Sequence, residues 1–391
     1  MFLNHRDAPP LLGHADVPAR VTESYILTGY RFPTYTLRQC LLSAFRPTNE
    51  TGNFWTHFLP VFVFAYHLVE VFWWDGAPPP GAPFFYPLWN YVLGVLFLLA
   101  ASSLAHLLNS MSLVVREVCF FVDYGTISAY TVGSSLAYYY YIHPRAGVLG
   151  TGQGWAANGS STEPPPPPPS LLAPYGFPDA GALFETFYVP SSCVVAIICI
   201  LSCCNTRQRW RRHRYLIRTL VFLLPFLVSS TPIFYRLLTR SPYPPASASF
   251  ASSASMAGYF CRHCLWLVVS AVFNISKVPE RLAPGRFDVW GHSHQWFHCC
   301  TFLSILDEFH MIKAEVRAVL LRPMLALPEE AAAAALTALP GPTAPATYGV
   351  MLLLQATIAA IIGWFSWHAE RIYGAERDQL ARQGPKGHKC H

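Results

Sequence analysis

Eight apolar runs, each roughly the 17–25 residues that a helix needs to cross a bilayer, recur along this chain. They fall near residues 54–74, 88–110, 118–141, 183–204, 216–236, 255–275, 293–311 and 347–368. Lipid offers no water to the backbone, so runs of this kind fold as helices that satisfy their own N–H and C=O groups. The expected fold is an all-α, polytopic membrane helical bundle: a seven-span core followed by an eighth transmembrane helix. Charge content agrees, because only 12% of the 391 residues are charged, against about 25% in an average soluble domain. The chain then divides into an N-terminal region (1–53), the core (54–311), a linker (312–346), the eighth span (347–368) and a tail (369–391).

Direction follows from the Lys/Arg bias of short loops. The 205–215 segment carries Arg207, Arg209, Arg211, Arg212 and Arg214, and 276–286 adds Lys277, Arg281 and Arg286, whereas 75–83 has no basic residue. These loops place the N-terminus, the tail and the inner ends of the second and seventh spans in the cytoplasm, and the linker outside. The sequon Asn158-Gly-Ser160 falls in the long loop on the opposite side, so Asn158 is expected to be glycosylated. The sequons at Asn49 and Asn274 face the cytoplasm and are expected to stay unmodified. The hexaproline at 164–169 reads as a polyproline spacer. No apolar stretch follows the first charges, as a cleavable signal peptide requires. Nucleic-acid binding is excluded by the lack of a basic helix or finger spacing. Eleven cysteines, an odd number and mostly inside apolar runs, argue against a disulfide framework. Cys261-x-x-Cys264 has no second pair to complete a metal site, and Cys203-Cys204, beside the arginines, suits palmitoylation.

This topology brings polar residues from three spans to one depth. His106 lies near the inner end of the second span, Asp123 in the first two turns of the third, and His294 and His298 in the first two turns of the seventh. His294 and His298 are i, i+4, so they share one helix face. With His106 they supply three nitrogens, the donor set of a tetrahedral zinc site with one open position. Ser102, one turn before His106, can reach Asp123, which is placed to orient or deprotonate a water at that position. His292 is out of step with this face and reads as interfacial. A buried hydrogen-bond network is the competing reading, and His57, His67 and His310 read as packing or interfacial residues. An intramembrane Asp costs about 2.5–3.5 kcal/mol on insertion scales, which favours a function. Asn49, Asn53 and His57 form a stripe at the entry of the first span, read as headgroup anchors rather than as a seal over the bundle.

The motifs ESYILTGYR (23–31), PTNETGNFWTHFLP (47–60), SSLAH (102–106), FFVDYGTIS (120–128), NISKVPER (274–281) and HSHQWFH (292–298) occur in this order. Together they resemble those of the progestin and adipoQ receptors. The eighth span and the AYYYYIHP stretch are similar to the membrane progestin receptors of that family, the epsilon type above all. The resemblance implies a cytoplasmic N-terminus and a zinc ion on His106, His294 and His298, with Asp123 holding its water and Ser102 matching the serine of an S-x-x-x-H motif. Asn109-Ser110 stand where some members carry His-Ser, but that position is not a ligand. The resemblance further implies a plasma-membrane receptor for progestins and related neurosteroids that signals through G proteins. Distant similarity to alkaline ceramidases implies an alternative, a zinc-dependent lipid amide hydrolase with Asp123 as base and Ser102 beside it. A non-signalling scaffold is a third reading.

Overall fold

The computed structural model describes residues 9–74, 77–143, 180–210, 214–239, 246–325 and 341–383. Among them the fold is all-helical, with one isolated bridge between Leu12 and Tyr30. The helices are α1 (Leu37–Ser43), α2 (Thr51–Glu70), α3 (Tyr86–Leu108), α4 (Leu113–Ala137), α5 (Ala180–Gln208), α6 (Arg214–Ser229), α7 (Thr231–Thr239), α8 (Ala246–Ser276), α9 (Ser293–Leu325) and α10 (Val350–Gln383). Neighbours in sequence from α2 to α6 pack side by side, α6 meets α8, α8 meets α9, and α9 against α2 closes the ring. The tenth helix lies outside this ring, on α4 and α5.

The surface is apolar and the interior carries the polar groups, the reverse of a soluble bundle. Phe62, Phe97, Val268, Leu352 and Leu353 are exposed, whereas Glu50, His106, Arg116, Asp123, Glu308 and Glu315 are buried. Exposed side chains of that kind belong in hydrocarbon, and the chain is a multi-pass membrane protein. Among the described residues five helices are long and apolar enough to cross a bilayer, namely α2, α3, α5, α8 and α10, and a sixth results if the bent pair α6–α7 counts as one span. The two long helices outside that set, α4 and α9, carry Arg116, Glu117, Asp123, Glu308 and Glu315. Their low hydropathy is the signature of the interior they build.

Four expectations need correction. The run 216–236 is two helices meeting at 54° across Ser230: Pro232 has no N–H with which to continue the hydrogen-bond ladder of α6. The seventh helix does not end at 311 but continues as α9 to Leu325, because Ile312, Glu315 and Val316 are still buried. Similarly, α10 runs past 368 to Gln383, through a polar stretch of good helix formers. Cys203 and Cys204 are 1% and 0% exposed within the core shared by α4 and α5, so neither thiol is open to acylation. Asn158 and the hexaproline lie outside the described residues.

Gly125 sets how closely α10 seats on α4. A Cβ there would lie 2.8 Å from Ile358 Cγ2 and 2.9 Å from Ile362 Cδ1. Gly125→Leu should therefore wedge the two helices apart and destabilise the bundle by about 1–3 kcal/mol, the usual cost of overpacking. Gly363, on α10 itself, faces open space, and Gly363→Leu should stay within about 0.5 kcal/mol. Thermal unfolding of both variants in the same detergent checks the contrast; equal losses would mean the Gly125 contact does not matter.

Candidate functional site

The end of the bundle where α3 finishes and α2, α4 and α9 begin is built by capping. Arg31 donates from one guanidinium nitrogen to Leu107 O and from the other to His106 O, both at 2.7 Å, satisfying the last carbonyls of α3. Ser293 N–H donates to Glu280 Oε2 at 2.7 Å, which fixes the first turn of α9. These contacts hold the rings that follow, His106 on α3 and His294 and His298 on α9.

The three imidazoles converge. One ligand-capable nitrogen from each lies within 4.8 Å of the other two, the only such three-residue group among the described residues. His106 Nε2 and His294 Nε2 are 3.3 Å apart. Tetrahedral zinc with Zn–N bonds of about 2.0–2.1 Å sets its ligand nitrogens about 3.3 Å apart. The remaining nitrogens fix the tautomers. His106 Nδ1 lies 2.7 Å from Glu50 Oε2, so it carries the proton toward the carboxylate and leaves a lone pair on Nε2. His298 Nδ1 faces Asn53 O at 3.2 Å and Thr56 Oγ1 at 3.0 Å. A carbonyl only accepts, and the Thr56 hydroxyl is itself spent on Asn53 O, so His298 Nδ1 also carries its proton and Nε2 is bare. Two bare nitrogens turned toward one point in a buried space call for a cation or a donor between them. The donor set suits a divalent metal of the zinc type.

Asp123 is 9% exposed, with the Ser102 hydroxyl beside its carboxyl. Both line the same cavity as the three histidines. Its volume is about 470 Å³, within the roughly 300–1,000 Å³ typical of small-molecule sites. Phe120, Tyr124, Phe222 and Phe297 wall it, and it runs on to Glu308.

Glu50 is a member of this cluster that the motifs alone do not single out. It holds His106, accepts from Asn53 Nδ2 on the same oxygen and from Asn109 Nδ2 on the other, each at 2.7 Å. Burial pushes its carboxyl up, but His106, Arg116 and Arg31 together hold it well below the usual carboxylate range. Asn109, set aside in the sequence as no ligand, thus braces the partner of His106 and also accepts from Arg31 at 2.9 Å. The Asn49–Asn53–His57 stripe is no headgroup anchor. All three are buried, and the His57 ring stacks on His298 with centroids 3.7 Å apart. His292 is not interfacial either: it is buried, with Nε2 on Asn49 O at 3.2 Å. The signal was present, since Glu50, Asn53 and His57 at i, i+3 and i+7 share one helix face.

Fold and site together define a multi-pass α-helical membrane protein with a buried three-histidine centre at one end of its cavity. A sequence profile of haemolysin-III-related proteins matches residues 45–309, a span that holds every residue of this centre. The chain belongs to the haemolysin-III-related family, in agreement with the resemblance to the progestin and adipoQ receptors. The membrane progestin receptor delta of Mus musculus is 32% identical over 313 residues, 79% of each chain. The membrane progestin receptor gamma of Homo sapiens is 32% identical over 301 residues, 76% of this chain and 78% of its own. The beta receptor of Mus musculus is 29% identical over 305 residues, covering 76% and 73%.

Proposed function

We propose that this protein is a plasma-membrane steroid receptor of the progestin and neurosteroid class, with zinc on His106, His294 and His298 at the cytoplasmic end of a seven-span core. In this reading α10 is an eighth span, the N-terminus is cytoplasmic and occupancy of the cavity is relayed to G proteins. The epsilon assignment rests on the motifs. One observation supports the receptor reading most: an apolar, aromatic-walled cavity in the bundle of a chain whose relatives are named progestin receptors. Full-length protein in lipid nanodiscs should bind a radiolabelled progestin saturably, with displacement by unlabelled steroid. Absence of saturable binding by metal-loaded protein ends the proposal.

Within the site, Glu50 holds the proton on His106 Nδ1, Asn53 and Thr56 hold it on His298 Nδ1, and Ser102 steadies Asp123. Zinc held by the three histidines would supply a Lewis acid at the cavity wall. Partners of ligand histidines are worth about 10–100-fold in metal affinity, so Glu50→Gln should weaken zinc binding by that factor while the bundle stays folded. Competition against a chelator of known affinity measures this; an unchanged constant removes Glu50 from the centre.

Asp123 favours a second reading. A carboxylate able to accept a proton stands in the cavity with the histidines, an arrangement suited to hydrolysis of a lipid amide. Ceramide turnover that disappears in Asp123→Asn protein and on chelation would move the assignment to a hydrolase.

A further inference from the structure

The far end of the cavity has chemistry of its own. Glu308 on α9 is 2% exposed and lies ten residues beyond His298, about 15 Å along a continuous helix. Three tyrosines from two other helices and the turn that follows α4 converge on it. Tyr138 donates to Oε1 at 2.6 Å, while Tyr91, at 3.2 Å, and Tyr130 donate to Oε2. Among the described residues no basic side chain is ion-paired with it. A buried carboxylate without a cation is costly in a bilayer and marks function by default. Packing α3 and α4 against α9 does not require one, because apolar side chains would do it without that cost.

The acceptor count shows what is left over. A carboxylate offers about four lone-pair positions; both on Oε2 are filled and one on Oε1 remains. Glu308 lines the cavity, and so does Ser134, whose buried hydroxyl lacks a hydrogen-bond partner among the described residues. A ligand that fills the cavity therefore meets, at its deep end, an acceptor that wants a donor.

We propose that Glu308 selects the ligand's deep end: its free Oε1 position accepts a hydrogen bond from a hydroxyl, whereas a ketone at that position sets oxygen against oxygen. This inference rests on the steroid reading above. It turns that reading into a preference for ligands with a hydroxyl at one end of a rigid apolar skeleton.

Two pairs of saturated pregnanes test it in nanodisc-embedded full-length protein. One pair differs only in a ring-A hydroxyl against a ketone, the other only in a side-chain hydroxyl against a ketone. In wild-type protein the hydroxyl member of one pair should bind about tenfold or more tightly, the scale of a hydrogen bond to a charged group. Glu308→Gln, whose amide can donate as well as accept, should bring that ratio close to unity. Tyr138→Phe keeps the carboxylate and frees a second position on Oε1, so the preference should persist or grow. A preference untouched by Glu308→Gln, or lost equally in Tyr138→Phe, overturns the inference and leaves the receptor reading standing. Wild-type protein that binds none of the four steroids overturns the steroid reading, and this inference with it.

Discussion

His298→Ala protein should purify almost free of zinc, where wild-type protein carries about one ion per chain. Removing one of three imidazoles leaves two donors, short of what either a closed or an open zinc site uses. Geometry makes this loss larger than that of a generic surface histidine. The i, i+4 pair on α9 closes to 4.5 Å between ring centroids, and His298 comes within 5.0 Å of His106, so the alanine removes the ring that faces both others. Stability should follow by mass action: zinc at about a thousand times its dissociation constant stabilises the folded state by about 4 kcal/mol. A chelator should therefore lower the melting midpoint of wild-type protein and leave that of the variant where it is. His57→Phe is the control. It keeps an aromatic ring on the stacking face of His298, and His57 is not one of the three donors, so metal content should hold. Stoichiometric zinc in His298→Ala protein, or none in the wild type, would sink the centre.

The histidines were legible because their spacing is local. A helix turns an i, i+4 pair to one side, and span direction alone brings His106 to the same depth. Glu50 was harder to see. It reaches His106 across 56 residues, and in sequence it sits between Asn49 and Thr51, where the triplet reads as a glycosylation sequon. What identifies it is the combination of Arg31, Asn109 and Arg116 around one buried carboxylate, a convergence of segments that no window on the chain contains. Glu308 was hidden for a similar reason: its three tyrosines come from α3, α4 and the turn after α4.

The fold was legible wherever apolar content and helix coincide. Hydropathy places α2, α3 and α5 within a few residues of their observed ends, and finds one end each of α8 and α10. It fails in an instructive way on α9. Charges at Lys313 and Glu315 end the apolar run, and hydropathy alone ends the helix there too. The helix continues because those charges are taken up inside: Lys313 pairs with Glu70 on α2, and Glu315 with Arg236 on α7.

That last pair gives the largest stability effect expected from a single substitution away from the three-histidine centre. Arg236 and Glu315 are 4% and 1% exposed at the side chain, joined by one contact of 2.6 Å from Nη1 to Oε2. Nη2 and Oε1 have no hydrogen bond among the described residues, so this pair recovers its desolvation cost poorly. Breaking a buried pair typically costs 3–5 kcal/mol, because the surviving charge is stranded, whereas replacing both partners by apolar groups is often neutral or stabilising by about 1–4 kcal/mol. Arg236→Met and Glu315→Leu alone should each lower stability by about 3–5 kcal/mol, and the double variant should recover all of that loss or more. Denaturant titrations of the four proteins form a double-mutant cycle. If the double variant is as unstable as either single one, the charges are needed for something apolar packing cannot supply. The geometry names the candidate: α7 leaves α6 at 54°, and this pair fastens the bent half to α9. A double variant that is stable but has lost steroid affinity would show the ion pair setting the angle of a cavity wall, with stability following from the apolar contacts around it.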